Sequence, residues 1–340
     1  MFLHLPSGIT TIFSGDWRQI LPVVAHGTRP QIISRCLKSS PLWEHVETMQ
    51  LTINMRIAHA TAGSTEDDAS FQQFLLNIGE GKIPTIQEKG EFTIPIMDRF
   101  LMPGSTLHDM VDWVFENLSQ KMHDHHWLSE RAILCPTNAE VDAVNQYIAH
   151  KVPGEEHILN SVDSVDAKDN HMYPVEFLNT ICVSGMPPHR LSLKVGMIIM
   201  LLRNFDTVHG HCNGSRYILQ QIRPHVLLAQ LVSGIHAGAQ LLIPRISISP
   251  SDNIFPFTLT RKQFPVRPCF AMTVNKSQGQ SLSQVGVYSV KDFFSHGQLY
   301  VAASRVGNPL QLRILRINEE DNTKCTDMRN VVYKEILTHT

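Results

Sequence analysis

Residues 131–151, RAILCPTNAEVDAVNQYIAHK, restrict the fold more than any other stretch of this sequence. The short apolar run 132–135 reads as a strand and meets a Pro-Thr-Asn turn. A helix follows, with Val141, Val144 and Ile148 on one face and Asn138 placed as its N-cap. Strand, polar turn and helix in that order form the half-unit of a parallel α/β sheet. The pattern returns late in the chain. CFAMTV reads as a strand running into NKSQGQS, VGVYSV as a strand, HGQLYVAASRV as a helix and LQLRILRI as a closing strand. Upstream, Phe71, Phe74, Leu75 and Ile78 fall on one helical face, with Gly79 as a stop. Leu107, Met110, Val111, Val114 and Leu118 repeat that spacing and predict a second helix. TTIFSGD reads as a buried strand ending at a Gly-Asp turn, and 46–51 as another short strand.

Between the two α/β stretches the text changes character. Residues 154–188 are polar and broken by Pro and Gly, hence loop-rich. Residues 193–247 read as consecutive strands separated by turn signals, among them Asn213-Gly214, and predict a small all-β insertion. A length of 340 residues accommodates two domains, and 43% hydrophobic with 18% charged residues is globular composition, not disorder. The longest apolar run, 195–202, is far short of the roughly 20 residues that span a bilayer. No basic n-region or small-residue cleavage site opens the sequence, so no secretory signal is read. Six scattered cysteines without a CxxC pair fit reduced thiols.

The net charge of −2 hides an uneven distribution. Residues 60–170 hold 19 acids against 7 Lys/Arg, and residues 260–317 hold 8 Lys/Arg against Asp292 alone. Such a local positive field suits a groove that follows a phosphate backbone, although a solvated surface would show the same charges.

Four short motifs carry chemistry. In GDWRQILPVV, Asp16 and Gln19 stand at a strand end, where α/β sheets bind ligands, and a Gln there can orient a water at a terminal phosphate. In LTINMR, Arg56 follows an apolar stretch and could offer charge to a transition state. In TVNKSQGQSL, a strand ending at Thr273 is followed by Asn275, Lys276, Ser277, Gln278 and Gly279. These donors at a strand-to-helix turn suit phosphate oxygens, and Gly279 permits close backbone approach. In SHGQLYVAASRV, small Ala302, Ala303 and Ser304 allow close packing and set Arg305 near a helix end. Each alone has an ordinary alternative: a surface turn, an ion-paired arginine, a capped turn, or an arginine at a helix C-terminus.

In this order the four resemble the later motifs of superfamily-one 5′→3′ DNA helicases. The similarity is to the PIF (petite integration frequency) family, relatives of RecD, and especially to helicases of Helitron-type transposons. AILCPTN, LKVGMIIMLLRNFD, HCNGSRYIL, FAMTVNKSQGQSL and GQLYVAASRV all carry it, from about residue 13 to 317. Ser14 and Ala303 depart from the usual Gly and Leu. The resemblance implies an ATP-dependent helicase that moves on single-stranded DNA and acts at duplex junctions. Asp16 and Gln19 would sense the γ-phosphate, with Gly15 beside them, and Arg56 and Arg305 would act as arginines at that phosphate. Thr137 and Asn138 would touch the strand. Thr273, Asn275, Lys276, Ser277, Gln278 and Gly279 would form the loop between DNA and nucleotide. The implied layout is the tail of a first RecA-like domain over 1–57 and a helical connection over 58–128. A second RecA-like domain would cover 129–176 and 248–320, a 2B-type insertion 177–247, and a tail 321–340. The implied location is nuclear, with mitochondria also open, and no membrane partner is expected.

The phosphate loop GxxxxGK[ST] does not occur in these residues. In the nearest string, GEGKIP, Leu76 stands where the first Gly belongs and Ile83 replaces the Ser/Thr that holds magnesium. An apolar run ending in Asp-Glu is also missing. The expectation is that ATP and Mg2+ belong to a complete enzyme whose upstream RecA-like domain supplies the phosphate cradle. A non-enzymatic single-strand-binding remnant and a truncated transposon-derived fragment stay open as alternatives. The HDHH and HGHC clusters lack a second ligand pair at zinc spacing, so no metal site is assigned.

Overall fold

In this computed structural model, residues 11–24, 26–60, 66–166, 172–250 and 255–338 are described. The strand Arg131–Cys135 lies inside a five-stranded sheet. Ala271–Thr273 pairs with it on one side and Gln284–Ser289 on the other, followed by Leu312–Ile317, all parallel. Lys324–Cys325 closes the far edge antiparallel. Residues 132–135 are all fully buried because both faces of the sheet are covered. Ala132 and Leu134 point into a core with Phe71, Leu75 and Ile78 of helix Glu66–Gly79, and with Leu299 and Ala302 of helix Gln298–Ala303. Ile133 and Cys135 point the other way, toward Met110 and Val114 of helix Leu107–Val114 and Val141, Val144 and Ile148 of helix Asn138–Lys151. The fold is therefore α/β, with helices on both faces of a mainly parallel sheet.

The predicted insertion forms a second five-stranded sheet, antiparallel throughout, in the order Val266–Pro268, Ile198–Leu201, Arg216–Ile222, Val226–Leu231, Gln240–Pro244. Its first strand comes from beyond 177–247 and runs almost directly into Ala271–Thr273, so one stretch of chain serves both sheets. Arg216 fastens the two units from below, donating to the carbonyls of Ser129 (2.6 Å) and Arg131 (2.9 Å). A three-stranded sheet of Ile246–Ile248, Thr260–Gln263 and Val162–Ser164 lies alongside. Beneath it Arg261 and Asp163, both fully buried, pair at 2.6 Å, and Arg261 also donates to the carbonyls of Pro187 and Leu178.

Three local expectations are corrected. Residues 11–16 and 46–51 form no strand, and Ile12, Met49 and Leu51 are exposed. A strand exists through its ladder partner, and no described segment pairs with either stretch. The helix beginning at Leu107 stops at Val114, because Asn117 takes a left-handed conformation (φ 56°), and a separate turn Leu118–Lys121 carries the buried Leu118. The N-cap of helix Asn138–Lys151 is Thr137, not Asn138. Thr137 Oγ1 accepts from Glu140 N–H while the Glu140 carboxylate accepts from the Thr137 N–H and hydroxyl, a reciprocal box that Asn138 one position later cannot form.

Residues 16–21 dock on the end of helix Gln298–Ala303. Gly297 makes this possible: it has φ +73°, and a Cβ there would lie 2.3 Å from the Arg18 carbonyl oxygen. The buried His296 donates from Nε2 to the Trp17 carbonyl (2.8 Å) and accepts the Tyr333 N–H at Nδ1 (2.8 Å). The bond accepted at Nδ1 needs the neutral ring, and burial lowers its pKa from the ordinary value.

Two outcomes follow. Arg261→Met leaves Asp163 as an unpaired buried carboxylate and costs about 3–5 kcal/mol in urea denaturation. For His296 the unfolded chain binds the proton more readily than the folded one. Its contribution is therefore complete above the unfolded pKa of about 6.5 and is lost as pH falls below it. Urea midpoints at acidic and neutral pH fall less in His296→Gln than in the parent.

Candidate functional site

The site grows out of the end of strand Ala271–Thr273. Asn145 holds that strand like a second backbone, donating to the Ala271 carbonyl and accepting its N–H, both at 2.9 Å. A short turn of helix, Val274–Ser277, follows. Ser277 is buried and its hydroxyl donates to the Val274 carbonyl (2.7 Å), so it braces the turn from inside. Asn275, Lys276, Gln278 and Gly279 face outward, and Gly279 takes φ +82°, which a Cβ would strain.

Two arginines meet at the next residue. Arg305, just beyond helix Gln298–Ala303, is almost wholly buried. It donates to the carbonyls of Val301 (2.7 Å), Ser277 (3.3 Å) and Gln280 (3.1 Å) and to Ser304 Oγ (2.9 Å). Arg56, in helix Met55–Ala60, reaches the same place from the N-terminal segment. It donates to Ser281 Oγ (3.0 Å), the Ser304 carbonyl (2.8 Å) and the Gln280 carbonyl (3.4 Å). Among the described residues, neither guanidinium has a carboxylate at ion-pair distance. Burial, and then the charge of Arg56, bring the Arg305 pKa down to about 10; burial lowers that of Arg56 as well. Two like charges held together in a desolvated place favour an anion.

Gln19 approaches from the third side. The turn Asp16–Gln19 closes with a backbone bond of 3.0 Å. The Gln19 amide donates weakly to Asp16 (3.4 Å), and its carbonyl oxygen accepts from Gln278 Nε2 (3.1 Å). Asp16 also accepts from the Tyr300 hydroxyl at 3.0 Å. Burial, and then the Asp16 carboxylate, push the tyrosine pKa well up, so this donor stays protonated. Arg18 pairs with Glu80 (2.5 Å) and lies 3.6 Å from Asp16. Gly15 is exposed, with room around it.

At the opposite end of the loop, Lys276 donates to Asn213 Oδ1 (2.9 Å) in the turn of the antiparallel sheet. Asn138 is exposed and reaches Ser184 at 3.5 Å, whereas the Thr137 hydroxyl is engaged in its cap. Thr273 is half-buried at the head of the loop. The structure thus gathers Gln19, Arg56, Gln278, Gln280 and Arg305 at one end and Asn213 and Lys276 at the other. Sequence reading missed three contributors: Tyr300, the Gln280 carbonyl and Asn213. Tyr300 stands five residues before Arg305, outside the i,i+3 and i,i+4 spacing that marks one helix face, so no periodicity signalled it. A main-chain carbonyl leaves no such trace either.

The PIF1-like helicase family pattern matches residues 5–89, and that of the DNA helicase Pif1 2B domain matches residues 176–222. The ATP-dependent DNA helicase PIF1 of Xenopus laevis is 27% identical over 213 residues, which is 62% of this chain and 31% of the relative. The ATP-dependent DNA helicase Pif1 of Bdellovibrio bacteriovorus is 22% identical over 313 residues, 92% of this chain and 59% of the relative. The chain spans less than a third of the vertebrate relatives it matches. The Pif1 helicase of Candida albicans shares the fold with a TM-score of 0.53 at 20% identity, covering 95% of this chain and 66% of that one. A Bacteroides Pif1 helicase in complex with ADP-AlF3 and ssDNA gives 0.54 at 19% identity, covering 88% and 60%. By these matches and the order of its motifs, the chain is similar to PIF1-like helicases over these segments.

Proposed function

We propose that this chain forms the C-terminal part of an ATP-dependent DNA helicase, holding one side of a nucleotide cleft and part of a single-strand path. The observation that carries the reading is the pair Arg56 and Arg305, both bonded to the Gln280 carbonyl with no carboxylate partner among the described residues. Their guanidinium edges fit the terminal phosphate of a nucleotide, where they would stabilise charge as the phosphoryl group transfers. Gln19, fixed by Asp16 and by Gln278, is the group that would orient the attacking water. The same Gln278 sits on the loop whose other exposed residues, Asn275 and Lys276, are the proposed DNA contacts. A change at the phosphate can therefore reach the strand through one hydrogen bond.

For magnesium the fit is poor. No group of three His, Cys, Asp or Glu side chains suited to a metal occurs among the described residues, so no step is routed through one. The phosphate loop and the magnesium ligands are proposed to come from a partner RecA-like domain upstream. Such a domain would also pair with the exposed apolar stretches around Ile12 and Leu51.

The test compares two preparations. The 340-residue chain alone should release no phosphate from ATP above background, with or without oligonucleotide. DNA-stimulated turnover that Arg305→Ala abolishes would overturn the proposed division of labour. In a longer product that carries the phosphate loop, Arg305→Ala should lower kcat by about 10³–10⁵-fold, the usual worth of an arginine finger. A loss under tenfold in a folded variant argues against the role given to Arg305.

A further inference from the structure

Arg203 follows strand Ile198–Leu201 of the antiparallel sheet, and the site described so far does not use it. It is half-buried, and one guanidinium nitrogen donates to the carbonyls of Leu202 and Gly185, both at 2.8 Å. Its neighbour Asn204 accepts the Asn213 N–H (2.8 Å), and Asn213 in turn accepts from Lys276 Nζ (2.9 Å). Arg203 and Lys276 are thus tied to one short hydrogen-bonded chain, one cation from each sheet. No carboxylate lies at ion-pair distance from either among the described residues. The nearest acid in the turn, Asp206, is occupied by His209 (2.6 Å) and by the N–H groups of Val208 and His209. Burial, and then repulsion from Arg203, lower the Lys276 pKa. A pair of cations without a counter-charge spanning two structural units is a place for an anion belonging to neither.

We infer that Arg203 and Lys276 form a phosphate clamp on single-stranded DNA, in which the antiparallel insertion closes over the strand against the end of the parallel sheet. The inference rests on the single-strand reading above and deepens it: the insertion becomes a direct wall of the path. Lys276 alone reaches one phosphate from one side. Arg203 adds a planar fork from the antiparallel insertion, and Asn138 and Asn213 are exposed. The contact is to the backbone, so it is indifferent to sequence.

The experiment measures fluorescence anisotropy of a labelled oligothymidylate with the 340-residue chain over a salt series. Arg203→Gln and Lys276→Gln should each weaken binding and flatten the log-affinity against log-salt slope by about 0.7, the value for one single-strand phosphate contact. An oligodeoxycytidylate should lose affinity in parallel. Asn213→Asp separates binding from bracing. It gives Lys276 a carboxylate, so the urea midpoint should hold or rise while DNA affinity falls. A joint that only braces the fold predicts no loss of DNA affinity in that variant. If the parent chain binds and Arg203→Gln and Asn213→Asp bind equally well with unchanged slope, the clamp is wrong and the helicase reading stands. If the parent chain fails to bind at low salt, both are wrong.

Discussion

One carbonyl oxygen, that of Gln280, receives both Arg56 and Arg305, and the arrangement of the site depends on that shared acceptor. Each guanidinium carries five donors and must keep them occupied when water is removed. Here the occupants are main-chain carbonyls of the loop and of the last helical turn, not carboxylates. Carbonyls satisfy the donors without cancelling the charge, and burial, followed by the charge of Arg56, lowers the pKa of Arg305. A nearby Asp or Glu would have cancelled that charge.

The same economy appears elsewhere in the fold. Arg216 crosses between the two five-stranded sheets on carbonyls alone, and its pKa is lowered by burial. Arg261, in contrast, meets Asp163 in a forked pair and closes the small three-stranded sheet. The loop 273–280 is rigid at its root, through Asn145 and Ser277, and polar at its tip, so that its ends can report to different units.

Much of this was legible in residues read singly. The apolar run before Pro136 gave a central parallel strand, because a strand covered on both faces needs four apolar residues in succession. Val141, Val144 and Ile148 marked the buried face of the helix behind it. Arg56 was singled out because it follows an apolar stretch, Arg305 because it stands near a helix end, and Gln19 on the strength of a strand end that does not form. The turn at Asn213-Gly214 was also correctly placed between strands. What misled was local: TTIF has the apolar, β-branched look of a strand, yet no described segment pairs with it. Asn138 has the chemistry of a cap, yet Thr137 and Glu140 have the spacing.

Sequence alone determined the periodicities, hence the α/β class and the inserted antiparallel sheet, because apolar spacing is a property of neighbours in the chain. It also determined the order of the motifs. Tertiary structure decided which of them meet. Gln19 and Gln278 are 259 residues apart in sequence and 3.1 Å apart in space, and Lys276 and Asn213 join across 63 residues. No local pattern encodes such distances. They follow from two sheets that share one stretch of chain, 266–273, and so bring the loop after it between an N-terminal segment and an inserted turn.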